Sequence, residues 1–185
     1  MWQIVRFPAD TVANNMAIDW QLFNDMETGK IGPTIRLYTW SESGVSVGYL
    51  QKGDGVRRPT GGGLVYHDTS EVVYCLVAPN DPVLIPSKLT DAYLMITNVI
   101  CEALQELGYS VEISKTGVAL GLAKSRNNLC FAQAENFEIV QNGKKVVGSA
   151  QRRTRKTVMQ QGTIKTGDLP KNNFPTHQAL LITHN

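Results

Sequence analysis

Cysteine is scarce in this chain, and the few cysteines lie far apart. The 185 residues contain three cysteines, Cys75, Cys101 and Cys130. Their number is odd, and no two of them form a CxxC pair. A disulfide framework needs paired cysteines, and a cysteine-based zinc site needs closely spaced ones. We therefore exclude both, and we expect a reducing, cytoplasmic setting.

Long apolar runs and a targeting pattern are also missing. No stretch approaches the roughly 18 consecutive apolar residues of a membrane span. The first residues lack the basic and then apolar order of a secretory signal. The formal net charge is only +2, and no helix-turn-helix pattern or strongly basic face is present. The sequence thus predicts neither a membrane nor a nucleic-acid partner.

Repeats, low-complexity tracts and linkers are absent as well. A chain of 185 residues has the size of one domain with a full core. Its 42% hydrophobic and 18% charged residues are an ordinary globular balance. We expect a single domain over residues 1–185, without an accessory C-terminal domain.

Two segments have the apolar spacing of helices. Residues 10–27 place Val12, Met16, Trp20 and Phe23 on one face, and Gly29 follows as a stop signal. Residues 87–107 show the same periodicity more clearly. Their first and last positions carry typical capping residues, Ser87 at the start and Gly108 just past the end.

Strand-like runs occupy most of the remaining chain. Residues 34–40 alternate apolar and polar, and we expect residues 45–48 to return as their hairpin partner. Residues 64–67 and 71–77 are rich in β-formers and should lie in a central sheet. Further strands are expected at residues 111–113, 137–140, 145–148 and 160–164.

Asn142-Gly143 is a strong hairpin turn signal between two of these later strands, and the chain from Asp168 onward is typical of a loop. Hairpins, then a helix, then more hairpins are typical of an α+β fold. We therefore predict a mixed central β-sheet with flanking helices.

The most informative segment is residues 57–68, RRPTGGGLVYHD. Gly61 to Gly63 run straight into a strand, where glycine tolerates positive φ and lets another molecule approach the backbone. Their amide N–H groups suit a carbonyl or phosphate oxygen. Arg57 and Arg58 add positive charge just before the turn. Neither GxxxxGK[ST] nor GxGxxG is present, so this is not a standard nucleotide motif.

This segment matches the RRxxGGGxVxHD signature, and the chain resembles the superfamily of lipoate–protein ligases, octanoyltransferases and biotin ligases. A second matching block is GKKVVGSAQRR at residues 143–153, followed by QQGTI at residues 160–164. NMAID at residues 15–19 is similar to the first helix of the family. The motifs keep the family's order over residues 10–165. The resemblance implies a biotin/lipoate ligase-like catalytic domain.

Within the superfamily, the chain is most similar to octanoyltransferases of Gram-positive bacteria, which carry Cys-Phe shortly before the GKKxxGSAQ block. Cys130-Phe131 occupies that place. The resemblance implies octanoyl transfer from acyl carrier protein to a lysine of a lipoyl domain, through a cysteine thioester, in lipoate biosynthesis. The acceptor would be a protein such as the glycine cleavage H protein or a 2-oxoacid dehydrogenase E2.

Three alternatives stay open at this point. They are an ATP-dependent lipoate–protein ligase, a lipoyl amidotransferase and a non-catalytic lipoyl-binding homologue. Thioester to amide transfer is downhill, so the transferase needs no cofactor. ATP and Mg are required only if the ligase alternative holds.

The resemblance implies that Cys130 is the nucleophile and that Lys145, at the position of the family's active-site lysine, is the cation beside it. Taken alone, Cys130 would be a small buried hydrophobe and Lys145 a solvated hairpin charge. Cys75 and Cys101 are expected in the core. No metal ligand is expected. The expected substrate-binding residues are Arg57, Arg58, Gly61, Gly62, Gly63, His67, Gly148, Ser149 and Ala150.

Several roles have an ordinary structural alternative. His67 is either a general base or a structural histidine at a strand end, and Arg57 and Arg58 either position the donor or are solvated. The basic run at residues 152–156 either steers an acidic carrier protein or lipoyl domain or forms a solvated turn. An acyl tunnel is expected between the glycine turn and the strand of Lys145. Its candidate walls, Val65 and Val147, are equally well explained as core.

Overall fold

The computed structural model describes residues 1–114 and 137–165, and the statements below concern these residues. They form two helices and ten strands. The elements are, in chain order, β1 Gln3–Arg6, α1 Val12–Glu27, β2 Thr34–Thr39, β3 Gly44–Val47, β4 Val56–Arg57, β5 Val65–His67, β6 Val72–Pro79, α2 Leu89–Glu106, β7 Glu112–Ile113, β8 Ile139–Gln141, β9 Lys144–Arg153 and β10 Thr157–Ile164.

The strands form two sheets. The larger has seven strands in the order β1-β2-β6-β10-β9-β8-β7, and the smaller has three in the order β4-β3-β5. Only β1 with β2 and β3 with β4 pair in parallel among these strands; the other pairs are antiparallel. The predicted α+β class with a mixed central sheet is therefore confirmed. That residues 1–185 make one domain stays a prediction.

The two helices cover opposite faces of the large sheet, as the alternation of β6 requires. Val73, Cys75 and Val77 pack under α1 with Tyr38 and Met159. Tyr74 lies on the other face, in a cluster with Cys101 and Leu104 of α2. Leu76 and Ala78 pack with Ala92 and Ile96 of the same helix. Burying each large apolar side chain stabilises the fold by about 1.5–3 kcal/mol.

The predicted helix at residues 10–27 is confirmed, although it begins two residues later than predicted, at Val12. Thr11 caps α1 by accepting a hydrogen bond from the backbone N–H of Asn14 at 3.2 Å. Such a cap satisfies a donor that the first turn leaves unpaired. Gly29 follows the last turn with φ +72°.

The second helix is confirmed, but its predicted cap is wrong. α2 begins after Lys88, and that position makes no side-chain capping bond. Ser87 instead offers its backbone carbonyl to Nη1 of Arg153 at 3.0 Å. The expected end is correct, because Gly108 follows the helix with φ +87°.

The predicted hairpin of residues 34–40 with residues 45–48 is wrong. β2 pairs with β1 and β6, whereas β3 pairs with β4 and β5 in the small sheet. Trp40 forms an isolated bridge with Asp10, and Gly44 lies so close to Val12 that a Cβ there would meet Val12 Cγ2 at 2.7 Å. These contacts with the start of α1 draw the chain away from β2. The prediction that residues 64–67 lie in the central sheet is also wrong, because β5 pairs with β3 in the small sheet. β6 lies in the central sheet as predicted.

The remaining strand predictions are right in kind but not in length, since β7 and β8 are one residue shorter than the expected runs. β9 and β10 are longer than the expected runs and form one long hairpin. Asn142 and Gly143 have φ +51° and +73°, which is the geometry of the expected hairpin turn. β1 and β4 were not predicted, because four and two residues give too short a pattern. The described helices include none that is long and apolar enough to cross a membrane.

Candidate functional site

The glycine-rich turn, residues 61–63, lies in the connection between β4 and β5 of the small sheet. Gly62 has φ +92°, which favours glycine. A Cβ added to Gly48 would overlap the carbonyl oxygen of Gly62, so two backbones meet there without room for a side chain. The backbone N–H of Tyr49 also donates to the carbonyl of Thr60 at 2.9 Å. The turn is therefore held closely against the end of β3.

The side chain of Arg58 holds this turn through hydrogen bonds to its backbone. Its buried guanidinium donates to the carbonyl oxygens of Gly61 at 3.1 Å and Gly63 at 2.6 Å. The other terminal nitrogen donates to the Ser46 carbonyl at 3.0 Å and to Ser46 Oγ at 2.8 Å. Arg57 donates to carbonyls of the preceding loop, at Gly48, Tyr49 and Gln51. Both arginines thus hold backbone; a direct role with substrate stays a prediction.

A buried polar network ties the turn to α1. Thr60 Oγ1 donates to Gln161 Oε1 at 2.7 Å, and Gln161 Nε2 donates to Asp19 at 2.6 Å. Asp19 also accepts from Arg36 at 2.6 Å and from Tyr38 at 2.9 Å. Burial raises the pKa of Asp19, and the Arg36 charge and these hydrogen bonds oppose that rise. The NMAID segment therefore supports the turn through its side chains.

A β-bulge decides where Lys145 points. Ile139 pairs with Val147, but Val140 pairs with Lys145, so β9 has one extra residue, Val146, between the two pairs. Cross-strand partners share a face of the sheet. Val147 and Ile139 lie in the core beside α2, and the bulge puts Lys145 on the opposite face. In a regular strand, Lys145 would share the face of Val147.

Lys145 is largely buried and paired there. Its Nζ contacts the carboxylate of Glu138, and the two side chains are 5% and 12% exposed. Nothing in the sequence marks Glu138 as the partner, since it precedes a short strand and belongs to no motif. The solvated hairpin charge that Lys145 would be without the family resemblance is therefore ruled out, because a bulge and a carboxylate hold its ammonium inside. Its catalytic role stays a prediction.

The face that Lys145 reaches is the face that carries the glycine turn. Ala150 pairs with Gln161 and Gly148 with Thr163, and Gln161 is the residue that binds Thr60. Along β9, Lys145 is five residues from Ala150, or about 17 Å. Between the cation and the turn, the strand thus offers a glycine and an alanine, which leave its backbone open to a ligand.

Ser149 faces the other way. Its Oγ lies 2.7 Å from the hydroxyl of Tyr74, and that hydroxyl also accepts from Gln160 at 2.9 Å. Burial raises the pKa of Tyr74 to about 12. The ring of Tyr74 occupies the place where a Cβ of Gly162 would stand. The side chain of Ser149 therefore belongs to the α2 side, away from the glycine turn.

His67 is buried with both ring nitrogens engaged. Nε2 lies 2.6 Å from Ser46 Oγ, and Nδ1 lies 3.1 Å from Glu71 Oε2. The ring centroid is 4.4 Å from that of Trp40, whose Nε1 donates to the same carboxylate at 3.0 Å. Glu71 also accepts from Lys165 Nζ at 2.9 Å. These contacts are those of a structural histidine, which was one of the two predicted roles.

The basic run at residues 152–156 divides into two parts. Arg152 stacks on the rings of Trp20, Phe23 and Tyr49 at 4.8, 5.4 and 4.4 Å and donates to the Pro59 carbonyl. Arg153 donates to the carbonyls of Pro86 and Ser87. These two arginines brace the fold. A steering role remains a prediction for the exposed residues 155 and 156.

The predicted nucleophile, Cys130, lies outside the described residues, as does the chain from Asp168 onward. Cys75 and Cys101 are buried and free, as expected. Val147, one candidate tunnel wall, packs in the α2 core, and Val65 is buried in the small sheet. Within residues 1–114 and 137–165, no group of His, Cys, Asp or Glu is placed to hold a metal ion.

Sequence reasoning missed four residues that shape this site: Ser46, Glu71, Glu138 and Gln161. Glu71 carried a usable signal, since it is an acid that lies four residues after His67 and directly before a buried strand. Gln161 belongs to the QQGTI motif, which was noted without a role. Ser46 and Glu138 gave no signal, because their partners are distant in sequence or fixed by the bulge.

A sheet with helices on both faces and a glycine turn over one of them defines an α+β domain of the lipoate and biotin ligase type. A putative lipoate protein ligase from T. acidophilum with bound lipoic acid has this fold, with a TM-score of 0.65 and 20% identity, over 88% of this chain and 66% of that one. Lipoate-protein ligase A bound with ATP is similar, with a TM-score of 0.62 and 20% identity, over 88% and 65%.

The chain also matches the lipoyl protein ligase A/B catalytic domain family over residues 11–167. It therefore belongs to that family, as the motif resemblance predicted.

Relatives with higher sequence identity belong to one named group of enzymes. Octanoyltransferase LipM of Oceanobacillus iheyensis is 34% identical over 177 residues, covering 88% of this chain and 63% of the relative. The proteins of the same name from Brevibacillus brevis and Staphylococcus aureus are 35% and 34% identical, each covering 88% of this chain and 65% of the relative. The chain thus spans just under two thirds of the length of these relatives.

Proposed function

We propose that this chain is an octanoyltransferase of lipoate biosynthesis, which moves an octanoyl group from acyl carrier protein to a lysine of a lipoyl-domain protein. The observation that carries the proposal is its identity of about one third to octanoyltransferases over 88% of its length. Cys130-Phe131 before the GKKVVGSAQ block supports the same branch. The acceptors that fit are proteins such as the glycine cleavage H protein or a 2-oxoacid dehydrogenase E2, and the setting is cytoplasmic.

The reaction has two displacements. The Cys130 thiolate attacks the thioester carbonyl of the donor, a new thioester forms on Cys130, and the carrier thiol leaves. The neutral amine of the acceptor lysine then attacks that thioester, an amide forms, and the thiolate of Cys130 leaves while the amine gives up a proton to solvent. Thioester to amide exchange is downhill, so no cofactor enters, and ATP with Mg is needed only by a ligase.

Lys145 is assigned as the cation of this site. A positive group near a thiol raises its thiolate fraction, and the same charge stabilises a developing oxyanion. A buried lysine is costly unless it is paired, and the contact with Glu138 supplies that pairing. Because the bulge turns Lys145 towards the side of the glycine turn, the ammonium and the turn can serve one acyl group.

The acyl chain is assigned to the space between the glycine turn and β9. Gly148 and Ala150 are the small residues on that face, and they leave the backbone of β9 open to the chain. Burying six or seven CH₂ groups supplies about 5 kcal/mol, at ~0.8 kcal/mol each. The side chain of Val147 is not part of this space, since it packs beside α2.

Intact mass spectrometry tests the proposal directly. Mixed with octanoyl-acyl carrier protein, the chain should gain the mass of one octanoyl group, and Cys130→Ser should not. Cys101→Ser is the matched control, because that thiol is buried in α2 and should leave the adduct unchanged. The adduct should disappear when a lipoyl domain is added, with octanoyl-lysine formed on that domain.

Three other outcomes would overturn the assignment. Modification of the lipoyl domain only with lipoate and ATP, unimpaired in Cys130→Ser, would make the chain a ligase. An adduct formed only from an octanoylated lipoyl domain would make it an amidotransferase. Tight acyl binding without any adduct would make it a binding homologue.

A further inference from the structure

The two halves of the candidate site, the glycine turn and the bulge of Lys145, are joined by contacts that meet at Glu71. This residue is fully buried in the connection between β5 and β6. One carboxylate oxygen faces His67 and accepts from Trp40, and the other accepts from Lys165. A buried carboxylate with three partners is a rigid junction, because moving it would leave several polar groups unsatisfied.

From Glu71 the contacts run to the glycine turn. His67 links the carboxylate to Ser46 Oγ at 2.6 Å. Ser46 accepts from Arg58 at 2.8 Å, and the same guanidinium binds the carbonyl oxygens of Gly61 and Gly63. A shift of His67 would therefore be passed to the turn.

In the other direction the contacts reach the bulge. Lys165 Nζ pairs with Glu71 at 2.9 Å, and the backbone N–H of Lys165 donates to the carbonyl of Val146 at 2.8 Å. Val146 is the extra residue of the bulge and the neighbour of Lys145. Both ends of the candidate site are thus anchored to one carboxylate.

For a neutral imidazole beside an ionised carboxylate, the donors and acceptors in this chain of contacts have one consistent order. A carboxylate only accepts, so His67 Nδ1 carries a proton towards Glu71. In the neutral ring Nε2 then accepts the Ser46 O–H, and Ser46 Oγ in turn accepts from Arg58. The order Ser46, His67, Glu71 is that of a hydrolase triad, but Ser46 is 0% exposed and reaches no substrate.

We propose that Glu71, His67 and Ser46 are positioning residues, which set the spacing between the glycine turn and the bulge of Lys145. This inference rests on the proposed function, because it assumes that the two halves act on one acyl group. Catalytic rates depend steeply on such spacing, and a displacement of about 1 Å can cost on the order of a hundredfold. His67 then acts through Arg58 and the turn rather than as a base.

Kinetics with octanoyl-acyl carrier protein form the first arm of the test. Ser46→Ala and His67→Ala should lower kcat by on the order of tenfold to a hundredfold, with little change in KM for the carrier protein. His67→Gln should recover part of the loss, since its amide can donate to Glu71 and accept from Ser46. The shape of the pH profile should stay that of the unmodified chain.

The matched control is Ser43→Ala, which makes the same change at an exposed residue of the preceding turn and should leave kcat unchanged. Lys165→Met tests the link to the bulge with a partly exposed residue and should lower kcat in the same way. Two results would contradict the positioning role.

In the first, His67→Gln and His67→Ala are equally inactive, and the plot of kcat against pH loses one of its two slopes in both variants; His67 is then a base. In the second, Ser46→Ala keeps full kcat.

Hydrogen exchange followed by mass spectrometry is the second arm and needs no activity. Amides of residues 58–64 should exchange faster in Ser46→Ala and His67→Ala than in Ser43→Ala. Exchange that stays the same would overturn the inference even in an active enzyme. If the unmodified chain transfers no octanoyl group, the proposed function fails, and this arm still decides whether the contacts hold the turn.

Discussion

The two faces of the large sheet bury different kinds of side chain. The face under α2 buries no charged side chain of the described strands and is mainly apolar, with Cys101, Leu104, Ile139 and Val147 in one cluster. Its buried polar groups are neutral, as in the contacts of Tyr74 with Ser149 and Gln160. The face under α1 and the glycine turn buries charges and amides, among them Asp19, Arg36, Glu71 and Gln161. Apolar packing tolerates small changes of shape, whereas a satisfied polar network has few arrangements. The difference indicates that one face stabilises the fold and the other holds the candidate site in place.

The largest expected effect comes from comparing how much one substitution on each face lowers the free energy of unfolding. Asp19→Ala leaves Arg36 buried without its carboxylate and should lower the free energy of unfolding by about 3–5 kcal/mol. Ile139→Val removes one methylene group from the apolar face and should cost only about 0.5–1.5 kcal/mol. Urea unfolding measures both. If both substitutions lower the free energy of unfolding equally, the buried polar network contributes no more to stability than the apolar packing.

The next effect compares two neighbouring lysines on β9. If Lys145 has the proposed role, Lys145→Met should lower kcat for octanoyl transfer by on the order of 10²-fold or more, because the charge assigned to the thiolate and the oxyanion is lost. Lys144→Met alters the exposed neighbour and should change kcat little. A similar loss in both variants would mean that general positive charge, not the position set by the bulge, matters.

A third prediction concerns the contact of two glycines. Gly48→Ala forces a methyl group onto the Gly62 carbonyl and should lower the free energy of unfolding by about 1–3 kcal/mol. Gly61→Ala is the matched control, since nothing lies within 4 Å of a Cβ added there, and it should change stability by no more than ~0.5 kcal/mol. Thermal unfolding of both variants decides. A larger loss in Gly61→Ala would contradict the packing described for the turn.

The smallest expected effect lies at the surface, outside both faces. Hydrogen bonds from Thr154 and Thr157 lower the pKa of Glu27 below its usual value. Because the folded pKa is the lower one, the ionised group stabilises the protein above its usual pKa, and this contribution is lost as pH falls through the folded value. Glu27→Gln should therefore be slightly less stable than the unmodified chain near neutral pH and equally stable in acid.

The control for this variant is Glu42→Gln, which changes an exposed glutamate in a loop. Its stability difference from the unmodified chain should not depend on pH. A pH-independent difference for Glu27→Gln as well would show that the Thr154 contact does not favour the ionised form.

Much of the fold was predictable because its signals are local. The spacing of Val12, Met16 and Phe23, the stop at Gly29 and the Asn142-Gly143 turn each act within a few residues. The hairpin error at residues 45–48 has the opposite cause. A strand of four residues has no partner of its own, and the bridge of Trp40 with Asp10 and the contact of Gly44 with Val12 decide where it goes.

The candidate site divides in the same way. The sequence singled out Arg57, Arg58 and His67 together, since they share one motif, and their role with substrate stays a prediction. Their partners were not predictable, because the guanidinium groups bind carbonyl oxygens, which every residue carries. Only a structure shows which carbonyls come within reach.

By itself the sequence determined the family, through two motifs in the right order, and the helices, through the spacing of their apolar residues. Tertiary structure alone decided that Lys145 lies on the face of the large sheet that carries the glycine turn, because one extra residue in β9 reverses the side to which the strand would otherwise point it. It also decided that Glu71 joins the two halves of the candidate site. Its three partners come from separate parts of the chain and meet only when both sheets are in place.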